Sequence, residues 1–424
     1  MKIFYITLII WNVQIIKTKI FELPFKTFYN TTEINMTNYM AINFKSRIGI
    51  EIELGTPPQK LNASFHLQLF YTIVQTTETK CKLTSLFNTN NSITFKKDIN
   101  SSFFVFEPFR YAYHSEDKAV FSNKKLKIDK FNFLTTVDLN DNSILNPIIL
   151  GLRLKPNYLN EEFKDSNIIN YLHDNKYSDN YVFTFDFSSI DEGKILFGEN
   201  PYENEDFLYI SVPTFKSQEI GQSWGIVFDN VFYGNINLVE YDYYALIEVE
   251  QKFIIGSSKY IELVEKEFFS KYTNLCKKET SYLSYESIRY YVCDKSINLN
   301  DMKPLIFYIK QNNFSFIFNP NELFVDYEGK KFFIVTFSNV YNSEWILGRY
   351  FLQKYNLYFD KDKKVIGFYR NGKPINKYLS LVFLIILSII IFILINVIYI
   401  QVKKGRKKRI NELDDGFDYI NQIN

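Results

Sequence analysis

The chain is poor in the residues that build small or specialised scaffolds: among 424 residues there are three cysteines, three histidines, four methionines, fifteen glycines and eleven prolines. So few cysteines exclude a disulfide-dense mini-domain. So little Gly and Pro, beside 46% apolar residues, exclude collagen-like, linker-like and disordered chains. No histidines and cysteines are grouped at ligand spacing, so no metal site is expected. There is neither a Walker-type loop nor a Gly-Xaa-Ser-Xaa-Gly elbow, and no cofactor is expected. An excess of positive charge is also missing. The net charge of +2 is produced after residue 400, where Lys403, Lys404, Arg406, Lys407, Lys408 and Arg409 face Glu412, Asp414, Asp415 and Asp418. A nucleic-acid partner is therefore not expected.

The chain is long enough for two domains or one two-lobed domain. Its 42 Phe and 32 Tyr are read as core and surface of a β protein and carry no chemistry by themselves. Met1 and Lys2 precede a mostly apolar stretch, Ile3 to Ile16, which is the order of a secretory signal peptide, assigned to residues 1–20. Residues 378–400 carry no charge and are long enough to cross a hydrocarbon core of about 30 Å. The basic cluster that follows places residues 401–424 in the cytosol and the bulk of the chain on the lumenal or extracellular side, as a single-pass type I membrane protein. In that compartment disulfides form; Cys276 and Cys293 close a short loop and are the expected pair, leaving Cys81 over. Asn30, Asn35, Asn62, Asn90, Asn100 and Asn313 head glycosylation triplets, so a glycoprotein is expected.

Between residues 38 and 370, short runs rich in Ile, Val, Phe and Tyr alternate with Asn, Asp, Gly and Ser clusters, the pattern of strands and turns. Strands are expected at Ile48 to Leu54, Tyr181 to Phe187, Lys194 to Phe197, Phe314 to Phe318, Lys331 to Phe337 and Leu357 to Phe359. Helical periodicity is confined to Glu161 to Tyr171 and Ser258 to Lys271. The fold is mainly β. An internal echo constrains it further: Ile149-Leu150-Gly151 follows His66 much as Ile346-Leu347-Gly348 follows Glu248, which suggests a duplicated lobe.

The turn Gly55-Thr56-Pro57-Pro58-Gln59 after the strand Ile48 to Leu54, the two Ile-Leu-Gly segments, Tyr291-Val292-Cys293, Trp345-Ile346-Leu347-Gly348 and Val365-Ile366-Gly367-Phe368 occur in one order and at one spacing. Together they resemble the pepsin-like aspartic protease family. The resemblance implies a bilobal double β-barrel with a central cleft over residues 38–370, an N-lobe of about 38–200 and a C-lobe of about 201–370, followed by the transmembrane helix. It also implies two Asp-Thr-Gly loops whose carboxylates share a proton and hold a water. In this chain the first loop reads His66-Leu67-Gln68 and the second Glu248-Val249-Glu250. An imidazole and a carboxylate cannot share a proton as two acids do. The extra methylene of Glu displaces its oxygens by about 1 Å, enough to cost about 100-fold in rate. Leu67 and Val249 lack the hydroxyls that bridge the family's loops, and Gln68 and Glu250 stand where the family has Gly.

Tyr111 and Tyr113 lie where the family's flap tyrosine is expected and are the candidate ligand-contacting residues. The expected function is a membrane-anchored, noncatalytic aspartic-protease-like protein (a pseudoenzyme) that binds a peptide or protein partner in the interlobe cleft. The alternative is an active endopeptidase with His66 and Glu248 as its catalytic pair.

Overall fold

The computed structural model describes residues 21–28, 39–44, 46–80, 85–104, 111–121, 126–138, 146–155, 165–198, 208–214, 216–217, 221–238, 243–283, 286–340, 345–369 and 386–405. Residues up to Asn371 form one compact unit, and Gly372 onward a second. The signal-peptide region, Cys81, Asn30 and Asn35 lie outside the described residues.

The first unit is mainly β, as its sequence pattern implies. One sheet of thirteen strands runs through it, accompanied by sheets of nine, four and two strands. The expected strands form with small shifts at their ends, as Arg47–Leu54, Val182–Ser189, Glu192–Phe197, Phe314–Phe318 and Asn356–Asp360. The run from Lys331 to Phe337, expected as one strand, is two: Lys330–Phe333 and Val335–Ser338. The cause is a change of partner. The first lies against Phe324–Tyr327, whereas the second runs parallel to Ile254–Ser257, and Ile334 between them donates its N–H to Leu323 O.

The internal echo is a structural repeat. In the first half, Gln59–His66 runs parallel to Ile148–Gly151, with His66 opposite Gly151. Ile148–Gly151 is antiparallel to Ile73–Lys80, which is parallel to Leu126–Asp138. In the second half, Tyr243–Ile247 runs parallel to Trp345–Leu347, with Ile247 opposite Leu347. Trp345–Leu347 is antiparallel to Ile254–Ser257, itself parallel to Val335–Ser338. The same four-strand order and directions thus recur.

The sheet also takes in a strand upstream of Asn38. Phe21–Phe28 inserts between Glu192–Phe197 and Arg47–Leu54. Its residues alternate in burial, with Leu23 and Phe25 inward and Glu22, Pro24 and Lys26 outward, the two-residue period of a strand with one buried face. Phe25 meets the rings of Phe65, Phe185 and Phe187. Nearby, Phe183 stacks on Phe359 and both pack edge-on to Trp224. Burying each such ring stabilises the fold by about 1.5–3 kcal/mol. The aromatic richness therefore has a packing role.

A charged cluster ties the upstream strand to both halves. Asp191 accepts from Lys252 Nζ at 3.0 and 2.9 Å and from Arg349 Nη1 at 3.3 Å. Thr27 donates to Asp191, and Arg349 also reaches Thr27 Oγ1 and Ser46 Oγ. Burial pulls the Lys252 ammonium below its usual range, against the opposing pull of Asp191. Cys276 and Cys293, as expected, form a disulfide, directly opposite one another on the hairpin Cys276–Leu283 and Glu286–Asp294.

In the second unit, Ile386–Gly405 is a 20-residue helix long and apolar enough to cross a membrane. The first part of the expected span, 378–385, lies outside the described residues. The helix continues past Ile400 because no breaker intervenes before Gly405, and Lys403 and Lys404 are good helix formers.

Candidate active-site cleft

Two glycines set the floor of the site. A Cβ on Gly151 would stand 2.4 Å from Tyr71 O, and one on Gly348 would stand 2.2 Å from Phe253 O. Each glycine therefore lets the backbone that follows a site residue fold directly over it. Leu152 donates its N–H to His66 O at 2.9 Å, and Glu248 donates its N–H to Leu347 O at 3.2 Å. His66 and Glu248 thereby stand at equivalent ends of the two repeated units.

His66 is partly exposed. Its Nε2 lies 3.5 Å from Glu250 Oε2, and its Nδ1 accepts the Gln68 N–H at 3.2 Å. In the neutral ring this places the proton on Nε2, the nitrogen nearer Glu250. His66 thus has Glu250 as its ion-pair neighbour, with Glu248 also within 4.8 Å.

Glu248 is half-buried, and its carboxyl makes no hydrogen bond to the described residues. Burial pushes it well above the usual carboxylate range; the negative charge of Glu250 adds to this, and Arg47 and Arg153 pull the other way. Both arginines bond to backbone carbonyls, Arg47 to Ser46 and Glu250, and Arg153 to Gln222 and Gln68.

Leu67 and Val249 are fully buried and apolar, so they offer no hydroxyl bridge between the halves. Gln68 supplies a different one: its Nε2 donates to Trp224 O at 2.9 Å and Ile247 O at 3.1 Å. Trp224 returns a bond from its indole N–H to Leu152 O. Asn167, also buried, braces the first loop from behind by donating to Phe70 O and Gly151 O. At the two positions where Gly was expected, long polar side chains therefore cross the floor, Gln68 in one direction and Glu250 in the other.

Of the candidate flap residues, Tyr111 and Tyr113 start the strand Tyr111–Phe121, paired with Lys96–Phe104 in a hairpin. The side chain of Tyr111 lies outside the described residues. Tyr113 lies under Lys97, whose Nζ is 4.5 Å from the ring centroid, and no contact among the described residues joins it to His66 or Glu248.

Sequence reasoning passed over Glu250, Gln68 and Asn167 as contributors. The Glu-Val-Glu alternation was a visible signal for Glu250 alone. His66, Glu248 and Glu250 each bring one ligand atom within 4.8 Å of the others. As a metal centre the set is handicapped, because the nitrogen turned toward the carboxylates carries the proton while Gln68 N–H holds Nδ1.

The repeat of parallel-strand units, the glycines beneath the two loops and the shared sheet define a two-fold aspartic-protease scaffold. Residues 48–370 match the family model described as eukaryotic aspartyl protease, and the chain belongs to that family. Comparison with curated proteins finds no match. The family's fold carries a cleft for peptide substrates.

Proposed function

We propose that this chain is a membrane-anchored, noncatalytic member of the aspartyl protease family whose cleft binds a peptide or protein partner. In this reading residues 1–20 are a removed signal peptide, the cleft is lumenal or extracellular, the exposed Asn90, Asn100 and Asn313 carry glycans, and 401–424 face the cytosol. The single observation that carries it is the pairing on the cleft floor. Peptide hydrolysis in this family needs two carboxyls flanking one water, one as base and one as acid. Here His66 Nε2 lies beside Glu250, burial raises Glu248 above the usual carboxylate range, and Gln68 bolts the halves together above buried Leu67 and Val249. Neither half offers a free base.

One observation favours a second reading, an endopeptidase using His66 and Glu248: these two and Glu250 lie close enough to hold one water. Glu248 would then act as base and His66 as the cation that stabilises the oxyanion. Incubating the purified full-length chain with a broad peptide pool between about pH 4 and 7, which spans carboxylate and imidazole titration, separates the two. The expected result is no cleavage by the folded protein. Cleavage that disappears in both His66→Ala and Glu248→Gln would overturn the noncatalytic reading.

A further inference from the structure

The cleft floor brings two carboxyls of one loop close together. Glu248 and Glu250 leave the same loop and converge, with His66, to within 4.8 Å. Glu250 is engaged by His66, while the Glu248 carboxyl has no hydrogen-bond partner among the described residues. The other charges that face it are Arg47, from the strand Arg47–Leu54, and Arg153, just past Gly151. Both spend bonds on backbone carbonyls. Two acids this close ionise together only when a positive charge joins them; otherwise one keeps its proton.

Three kinds of cation could join them. A proton serves when no ligand is bound. A metal ion would need a lone pair on His66 Nε2, the nitrogen left to carry hydrogen when Nδ1 accepts the Gln68 N–H. An ammonium or guanidinium group needs only acceptor oxygens and asks for no lone pair from His66. A separate observation indicates what brings that cation: the cluster lies at the ends of the two repeated strand units, in the cleft where this family holds peptides.

We infer that the cleft takes a peptide carrying a lysine or arginine at its centre, the side-chain cation seating between Glu248 and Glu250. The inference rests on the reading of this cleft as a peptide-binding site and names its ligand chemistry. The proton balance is simple. Where Glu248 still carries its proton, the carboxyl loses it to solvent as the ligand's charged nitrogen arrives, so one positive charge replaces another and the net charge of the site is unchanged.

The test uses the full-length chain in detergent micelles and four blocked octapeptide pools whose central residue is Lys, Arg, norleucine or Glu. Fluorescence polarisation is expected to show the Lys and Arg pools binding at least about tenfold tighter than norleucine, with Glu weakest. Below the titration of Glu248 the Lys and Arg affinities rise up to about tenfold per pH unit, because binding releases one proton. Calorimetry in buffers of different ionisation enthalpy counts that proton directly. Glu248→Gln lowers the Lys preference to the norleucine level, and Glu250→Gln does the same, so misfolding of either variant leaves the other to decide. Peptides that bind without basic preference and without proton release overturn the inference and leave the peptide-binding reading standing. No binding by any pool overturns both. Proton-releasing binding of n-butylamine alone, with the peptides excluded, overturns the peptide source of the cation. Binding that depends on added zinc and is abolished by EDTA overturns the choice of an organic cation.

Discussion

Replacing Asp191 with Ala strands two cations in the interior. Lys252 and Arg349 have side chains 4% and 0% exposed, whereas Asp191 is 35% exposed. Without the carboxylate, Lys252 keeps Asn43 and Arg349 keeps Thr27 and Ser46, which are neutral partners. Removing one partner of a buried ion pair costs about 3–5 kcal/mol. Because water reaches Asp191 itself, the low end applies, about 3 kcal/mol. For a domain of this size, with an unfolding entropy of about 0.7 kcal/mol/K, that lowers Tm by about 4 °C. Trp224 and Trp345 are both buried, so tryptophan fluorescence of the full-length chain reports the transition. Adding Lys252→Met should recover part of the loss, since one of the two buried charges is then gone. A fall under about 1 °C, equivalent to the loss of a surface ion pair, would refute the claim that this cluster clamps the upstream strand to both halves.

Three other perturbations follow from the same physics. Gly151→Ala should destabilise the chain by about 1–3 kcal/mol, because the new methyl meets backbone atoms of Phe70 and Tyr71 that cannot swing away; an unchanged melting curve would contradict this. Glu248 is raised above the usual carboxylate range, so its ionisation opposes folding: its contribution to stability is complete below the ordinary carboxylate pKa and is lost as pH rises through the raised value. Melting curves of Glu248→Gln should therefore gain on the native chain as pH rises, and parallel pH profiles would count against the buried placement. Replacing Cys276 and Cys293 together by Ser opens a loop with a sequence separation of 17 and should cost about 3 kcal/mol, measurable as a lower denaturant midpoint in nonreducing buffer.

Much of the scaffold was legible because strand and turn chemistry is local. Runs such as Phe314–Phe318 and Asn356–Asp360 have their ends marked by polar or turn residues, and the two Ile-Leu-Gly segments announced a repeat whose register the structure confirms. The strand Phe21–Phe28 was missed although its in-out alternation is visible, because Pro24 and the charged residues look like a spacer until a neighbouring edge is there to receive them. Partner choice on the cleft floor was less legible still. Which of Glu248 and Glu250 meets His66 depends on how far each side chain projects from a loop held by Gly348 and Leu347, and spacing along one chain does not encode that distance. The brace from Gln68 to Trp224 and Ile247 likewise joins segments far apart in sequence.

The central claim is that the scaffold is retained while the chemistry at its centre has been removed. It is tested most directly by assaying peptide-pool cleavage at mildly acidic pH for the native full-length chain beside one carrying His66→Asp, Leu67→Thr, Gln68→Gly, Glu248→Asp, Val249→Thr and Glu250→Gly together. The account predicts no cleavage by the native chain and cleavage by the sixfold variant. Cleavage by the native chain that Glu248→Gln abolishes would contradict it.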